Sequence, residues 1–449
     1  MAERSSGLAV WSWALYDFSN TIFSISILSF FFPVWLSEEL GAGADVFNYA
    51  TAAGALLVVL TAPFLGAVAD LRQRRKPYLI LLTLVAVGLT VGLEFVGTVA
   101  VAVAVFIAAN YAYQSALLFY NALLPGVSVG RGAGRVSGYG VGVGYVGTIL
   151  ALLVLTFFVT DGATVREWLG PLGGWLESGG ERNANAFLPT AVLYLVFSLP
   201  LFLFVPDVAV REPRPVSFRI AYRDVFETLK NLRRYSGVGT FILATALYTD
   251  AANTAVANMA LYGRAVFDMD GGDIRNLLLF STVFAAVGSF SFGVASDRVG
   301  PKRTLIVVLF LWVVSILIAA LAVAPWMLLV AGPLVGIALG ATWTVSRVML
   351  VALSPPDKLG EFFGLYTISQ KLSAVLGPVV IAVLLNVFGG FGVGISYRIS
   401  IGSLIIITLL GLFFLLRVPD VRPDSTVEEF GPGYEVLDSS PSAEEDTKL

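Results

Sequence analysis

The sequence predicts an all-α membrane protein with twelve transmembrane helices in two pseudo-symmetric six-helix bundles. Three observations carry that expectation. Of 449 residues, 57% are hydrophobic and 13% charged, against roughly 45–50% and 25% in soluble domains, and the mean hydropathy is +0.84. The apolar residues fall in continuous runs of about 20, the length that crosses a bilayer with every backbone N–H and C=O satisfied inside the segment. The period-two alternation of a membrane β-barrel is missing. Finally, landmarks of the first half recur in the second.

About twelve spans satisfy the hydropathy criterion, near 9–36, 47–69, 77–97, 98–124, 135–160, 186–205, 238–262, 275–296, 302–322, 325–353, 362–388 and 395–417. The border between spans three and four, near Gly97, is the least sharply marked. The chain therefore divides into an N-terminal lobe (1–205), a polar connector (206–237), a C-terminal lobe (238–417) and an acidic tail (418–449) whose composition predicts disorder. In the connector, Phe218, Tyr222, Val225, Phe226, Leu229 and Leu232 make a helical stripe flanked by Arg219, Arg223, Lys230, Arg233 and Arg234, as in a helix lying on a membrane surface.

The amino terminus, the even-to-odd loops, the connector and the tail hold about 21 of the 28 Lys and Arg residues, and the opposite loops about four. The positive-inside rule then places both termini in the cytoplasm, and the cytoplasmic membrane is the expected location. Trp11 starts an aromatic helix far longer than a signal-peptide core, so no cleaved leader is expected.

The repeat is read from five landmarks. Asp17-x-x-Asn20-Thr21 in span one returns as Asp250-x-x-Asn253-Thr254 in span seven. G-A-V-A-D-L-R-Q-R-R-K-P from Gly66 returns as G-V-A-S-D-R-V-G-P-K-R from Gly293. Pro125 and Pro355 end spans four and ten, Gly134-x-x-x-Gly138 and Gly360-x-x-x-Gly364 open spans five and eleven, and V-P-D-V closes each half. The offsets are 233, 227, 230, 226 and 213 residues, and parallel six-span repeats are a transporter architecture.

Cysteine and histidine are both absent. This excludes disulfides, thiol nucleophiles, the usual metal ligands and imidazole proton relays. No catalytic constellation, metal site or cofactor is expected, so the chain is read as a non-enzyme. The connector's cations are ordinary for such proteins, and no nucleic-acid partner is expected.

These residues resemble the major facilitator superfamily over roughly 9–420. The loops at Gly66–Lys76 and Gly293–Arg303 are similar to its 2–3 and 8–9 loop signatures. The second is the closer match, because the first has Leu71 and Gln73 where arginine and glycine are usual. The stretch W-A-L-Y-D-F-S-N-T-I-F, Trp13 to Phe23, resembles the vacuolar amino-acid effluxer-like branch, and also the glycoside–cation symporters. The drug-antiporter G-x-x-x-G-P pattern of span five is missing.

The resemblance implies a gating set of Asp70, Arg74, Arg75, Asp297, Arg298 and Lys302. Its aspartates would hold the lobes together in an outward-open state by facing the starts of spans eleven and five, near Gly360 and Gly134. It also implies that spans one, four, seven and ten line the central cavity.

Charges inside a membrane are functional candidates by default. Asp17, Arg347 and Lys371 lie at matched depths, roughly 12–14 Å from the basic edge at about 1.5 Å per residue, and the repeat puts Asp250 near the same level. Two anions and two cations there can neutralise one another. They can also hold the ammonium and carboxylate of an amino acid. Asn20 and Asn253 share the helix faces of the two aspartates. Tyr16, Tyr113, Tyr120, Tyr248 and Trp343 are candidate aromatic walls, and core packing competes with that role. In span five, the pairs Gly138/Gly142 and Gly140/Gly144 read as close packing against Ala285, Gly288, Ser289 and Gly293 of span eight.

The expected function is alternating-access export of amino acids or similar small zwitterions by a monomer in the lipid bilayer. Proton (H+) coupling through Asp17 or Asp250 is an option, and Na+ an alternative ion. A cation-coupled sugar or glycoside symporter is the second reading, and a non-transporting receptor the distant third.

Overall fold

A computed structural model describes residues 5–72, 74–169, 182–210, 237–355, 358–373, 376–421 and 434–437, with isolated connector residues 223, 226, 227 and 230. Among the described residues, eleven helices are long and apolar enough to cross a membrane. The first, α1, runs as a regular helix over Gly7–Phe23, starting where Ser6 accepts a hydrogen bond from the Ala9 amide. It continues to Glu39 through π-helical turns at Ser24–Ser29 and Trp35–Glu39.

The others are α2 (Ala44–Arg72), α3 (Lys76–Leu93), α4 (Val99–Ala122), α5 (Ala133–Thr160) and α6 (Phe187–Phe204), then α7 (Val238–Phe267). In the second half follow α8 (Gly271–Val299), α9 (Pro301–Ala320) and α10 (Pro325–Leu353). The eleventh is in two pieces, α11a (Leu359–Ser373) and α11b (Leu376–Val387), and α12 is Val393–Leu416. Helix α7 is the twelfth long helix. Its Asp250, Asn253, Thr254 and Asn258 lower its hydropathy, which is why composition alone marks the other eleven.

Within the first lobe α1 packs on α5 and α6, and α3 on α4; within the second α7 packs on α12, and α8 and α9 on α10. The lobes meet where α5 crosses α8 and α2 crosses α11a. Glycines permit both crossings. A Cβ at Gly66 would strike the Gly360 carbonyl, and one at Gly134 the Gly293 carbonyl. One at Gly138 would come within 2.6 Å of the Ser289 carbonyl. These contacts all lie in the basic-loop half of their helices.

The glycine run of α5 serves two neighbours. Gly134, Gly138 and Gly142 face α8, whereas Gly140, Gly144 and Gly147 face Asp17, Thr21 and Phe18 of α1. The expected matching surface on α8 is likewise divided. Ser289 and Gly293 meet α5, while Gly288 lies against Ile337 of α10 and the Ala285 carbonyl against Gly340.

Two short strands, β1 (Asp207–Val210) and β2 (Tyr434–Leu437), pair antiparallel, Asp207 opposite Leu437. The tail expected to lack structure thus contributes one strand, built from Tyr-Glu-Val-Leu, whose Tyr434 and Val436 suit a sheet. Apart from helical positions at 223, 226, 227 and 230, the expected connector helix lies outside the described residues.

Candidate functional site

Between the lobes lies a cavity of about 370 Å³. From the first lobe, α1 contributes Asp17, Asn20, Thr21 and Ser24, α4 contributes Tyr113, Leu117 and Asn121, and α5 contributes Val141, Gly144 and Tyr145. From the second, α10 contributes Trp343 and Arg347, and α11a contributes Tyr366 and Gln370. The i, i+3, i+4 and i+7 spacing along α1 and the i, i+4, i+8 spacing along α4 put one stripe of each helix on the cavity.

Its central feature is an ion pair across the lobes. Arg347 Nη1 donates to Asp17 Oδ2 at 3.3 Å, both side chains being about 11% exposed. The guanidinium also lies 5.4 Å from the ring centroids of both Trp13 and Tyr120, within cation–π range. Those rings stack on each other at 4.4 Å. Every partner named for Arg347 comes from the first lobe, although Arg347 belongs to the second. Beside the pair, Asn20 Oδ1 accepts from the Tyr194 hydroxyl at 3.2 Å. Asn20 Nδ2 and Asn121 Oδ1 have no partner among the described residues. Unpaired polar atoms in a cavity wall are places where a polar solute recovers hydrogen bonds.

The expected four-charge set is therefore not one cluster. Asp17 and Arg347 meet. Lys371 does not line the cavity, which receives Gln370 and Tyr366 from that helix instead. Asp250 is 1% exposed and Asn253 half-buried, and neither lines the cavity. The reason is helix rotation: α11a presents the stripe of Tyr366 and Gln370, and Lys371 is turned roughly 100° away from Gln370.

Of the aromatic candidates, Tyr113 and Trp343 form walls. Tyr16, Tyr120 and Tyr248 are core residues, Tyr16 bonded to Thr83 at 2.6 Å and Tyr248 to Ser346 at 2.7 Å. Tyr145, Tyr366, Gln370 and Ser24 are cavity residues that sequence reasoning missed. The i, i+4 spacing of Tyr366 and Gln370 was the available signal.

The lobes are also joined at the basic-loop end. Asp70 accepts from the Gly360 amide at 2.9 Å and the Glu361 amide at 2.8 Å, both at the start of α11a. Arg75 Nη2 donates to Asp70 at 3.2 Å, and Arg75 Nη1 to the Ala122 carbonyl at 2.7 Å. In the second copy, Asp297 accepts from the Gly134 and Arg135 amides at 2.7 and 2.9 Å. Gly132, just before α5, has φ +87°, and a Cβ there would strike the Asp297 carboxylate, so two constraints favour glycine.

Arg74 and Arg298, expected in the gating set, are exposed with no ion pair among the described residues. Arg75, not Arg74, turns inward. Lys302 stays within its own lobe and donates to the Leu416 carbonyl at 3.0 Å, as Lys76 does to Val205 in the first lobe at 2.7 Å.

Comparison with known proteins agrees with this architecture. A family model described as vacuole effluxer Atg22 like matches residues 128–425. The chain is 24% identical over 420 residues to the MFS-type transporter YxiO of Bacillus subtilis (strain 168), covering 91% of this chain and 94% of that one. It is 24% identical over 331 residues to autophagy-related protein 22 of Coccidioides immitis (strain RS), covering 67% of this chain and 51% of the relative. The crystal structure of the human organic anion transporter MFSD10 (TETRAN) superposes with a TM-score of 0.68 at 14% identity, over 91% of this chain and 98% of that one. That likeness concerns the fold.

Proposed function

The chain belongs to the vacuole effluxer Atg22-like family and is a multi-pass membrane transporter of the major facilitator kind, and from that premise we propose that it exports amino acids or similar small zwitterions by alternating access. One observation carries the choice of solute. The cavity holds one anion and one cation from opposite lobes, Asp17 and Arg347, already neutralising each other. An ammonium can replace Arg347 at Asp17 while a carboxylate replaces Asp17 at Arg347. The buried charges stay paired, which a low-dielectric site requires. A singly charged solute that parts the pair leaves one of the two without a counter-charge, and a neutral solute that parts it leaves both. The lobes then close around a solute that both hold, and only a solute with higher affinity for the closed state drives the change.

In this reading the basic loops and both termini face the cytoplasm, so the conformation is closed inward by the Asp70 and Asp297 contacts. Proton coupling would use a membrane carboxylate. The walls of Tyr113, Tyr145, Trp343 and Tyr366 favour a second reading, a cation-coupled sugar or glycoside symporter, since such rings stack on sugar faces.

A thermal-shift screen of L-amino acids against glycosides separates the two. An amino acid should stabilise the purified protein, drive counterflow in proteoliposomes, and lose both effects in Arg347→Gln. A glycoside that stabilises wild type and Arg347→Gln equally would overturn the zwitterion reading.

A further inference from the structure

Asp250 is the repeat counterpart of Asp17, but its surroundings are different. Asp17 has a cation at 3.3 Å. Asp250 is 1% exposed, and neither of its carboxylate oxygens has a well-aligned hydrogen bond among the described residues, although the Leu376 and Gly377 amides lie beside it. It faces the beginning of α11b. A Cβ at Gly377 would meet the Thr254 hydroxyl and lie 2.9 Å from Asp250 Oδ2.

The repeat explains the missing cation. Span four aligns with span ten at an offset of 230 residues, Pro125 on Pro355. The same offset places Tyr113 on Trp343 and Leu117 on Arg347, and all four line the cavity. The anion was duplicated or kept in both halves, whereas the position that supplies arginine to Asp17 supplies leucine in the other half.

No other charge nearby takes that place. Five helices pack on α7, namely α9, α10, α11a, α11b and α12. On α10, Arg347 is committed to Asp17. On α11a, Lys371 forms no ion pair with Asp250 among the described residues, and Glu361 sits at the basic-loop end beside Lys358 and Asp70. On α12, Arg398 sits beside Tyr262, roughly 18 Å along α7 from Asp250 at about 1.5 Å per residue. Arg417 stacks on Phe413. Lys302 and Arg303 of α9 bond to Leu416 and Asp420. Helix α11b carries no charged residue, and the remaining titratable groups on these faces are tyrosines: Tyr248, Tyr262, Tyr366 and Tyr397.

We infer that Asp250 is a proton-binding site separate from the solute cavity, carrying a proton in the conformation described. A carboxylate buried without a cation or a well-aligned hydrogen bond is costly inside a membrane protein. Binding one proton converts it to a neutral acid, COO− plus H+ giving COOH, and removes that cost. The backbone approach at Gly377 then matters in the other state. The Leu376 and Gly377 amides already lie beside Asp250, and a small realignment of α7 on α11b would let them donate to the ionised form, so the site has a favourable arrangement for each protonation state. Asp17 is instead engaged by the Arg347 guanidinium. The two aspartates thus divide the work, Asp17 for solute and Asp250 for the proton. This rests on the transporter reading above, and its test is independent of any solute.

Infrared spectroscopy of the reconstituted full chain reads the proton directly. Protein grown with aspartate carrying carbon-13 in its side-chain carboxyl should show, at neutral pH, a protonated-carboxyl C=O band that shifts with the label. The band should disappear in Asp250→Asn, persist in Asp17→Asn and be lost from wild type at alkaline pH. Should the Asn variant not fold, Asp250→Glu keeps the carboxyl, and the band should then lose its sensitivity to the aspartate label. A wild-type spectrum without a label-sensitive protonated-carboxyl band at neutral pH overturns the inference. So does a band unaffected by both substitutions. Failure of counterflow with every amino acid would instead sink the solute reading and leave the infrared result standing.

Discussion

Asp70 and Asp297 occupy equivalent positions in the two halves, and each joins the lobes by accepting two amide hydrogen bonds from the start of a helix in the other lobe. They differ in the third contact. Asp70 is 9% exposed and meets Arg75, itself 6% exposed, at 3.2 Å. Asp297 is 14% exposed, and its basic neighbour Arg135 stands 4.0 Å away with 43% of its side chain exposed. The copy that departs from the family signature at Leu71 and Gln73 is thus the more enclosed. Agreement with a motif and strength of a contact are separate matters. The two copies part five residues after each aspartate, where the first has Arg75 and the second Lys302.

The largest effect should follow from Asp70→Ala. It removes the acceptor of three donors and strands a buried guanidinium, a change of about 3–5 kcal/mol for a broken buried pair. The sequence has no cysteine, so spin labels at Arg74→Cys and Arg298→Cys, both exposed, report on the basic-loop end with no background. Pulsed electron spin resonance should show the distance distribution moving to longer values, since that change is most of the about 5.5 kcal/mol that takes an equilibrium from 1:99 to 99:1. Asp297→Ala should move it less. It loses two amide hydrogen bonds, as Asp70→Ala does, but breaks no buried ion pair, and water partly reaches the site. Equal shifts in the two variants would break the comparison.

Much of this architecture is legible in the sequence, because lipid forces long apolar runs and a repeat offers internal alignment. Even α7, the span that composition marks least clearly, is identified by the return of D-x-x-N-T. The site is legible to a lesser extent. Asp17 and Arg347 stand out because an intramembrane charge is costly, whichever way its helix is turned. Tyr145, Tyr366 and Gln370 do not, because their part depends on rotation, which the glycine contacts of α5 and α11a with their neighbours fix. Arg72, Arg74 and Arg75 look alike in a loop with no period. Arg75 turns inward because the Ala122 carbonyl and the Asp207 carboxylate, the latter accepting from the Arg75 amide at 3.0 Å, hold it there.

The smallest and most discriminating change exchanges the residues five places after each aspartate. Arg75 presents a planar fork that reaches Asp70 and the Ala122 carbonyl together, whereas a lysine ammonium is a point charge that cannot hold both in fixed geometry. Arg75→Lys should therefore keep the charge, lose one hydrogen bond of the pair, and weaken the first contact by about 1 kcal/mol. That is a modest shift of the same spin-label distances. Lys302→Arg should not strengthen the second contact, because Lys302 is directed to the Leu416 carbonyl within its own lobe, and Arg303 to Asp420 at 3.1 Å. If Lys302→Arg closes the basic-loop end as firmly as Arg75→Lys loosens it, residue type alone sets the asymmetry. If it leaves the distances unchanged, the backbone paths after Asp70 and Asp297 set it: a break between the end of α2 at Arg72 and the start of α3 at Lys76 in the first copy, and the Gly300–Pro301 turn directly into α9 in the second. The geometry favours the second outcome, since Gly300 has φ +93°, a conformation that commits the chain away from Asp297 before residue 302 is reached.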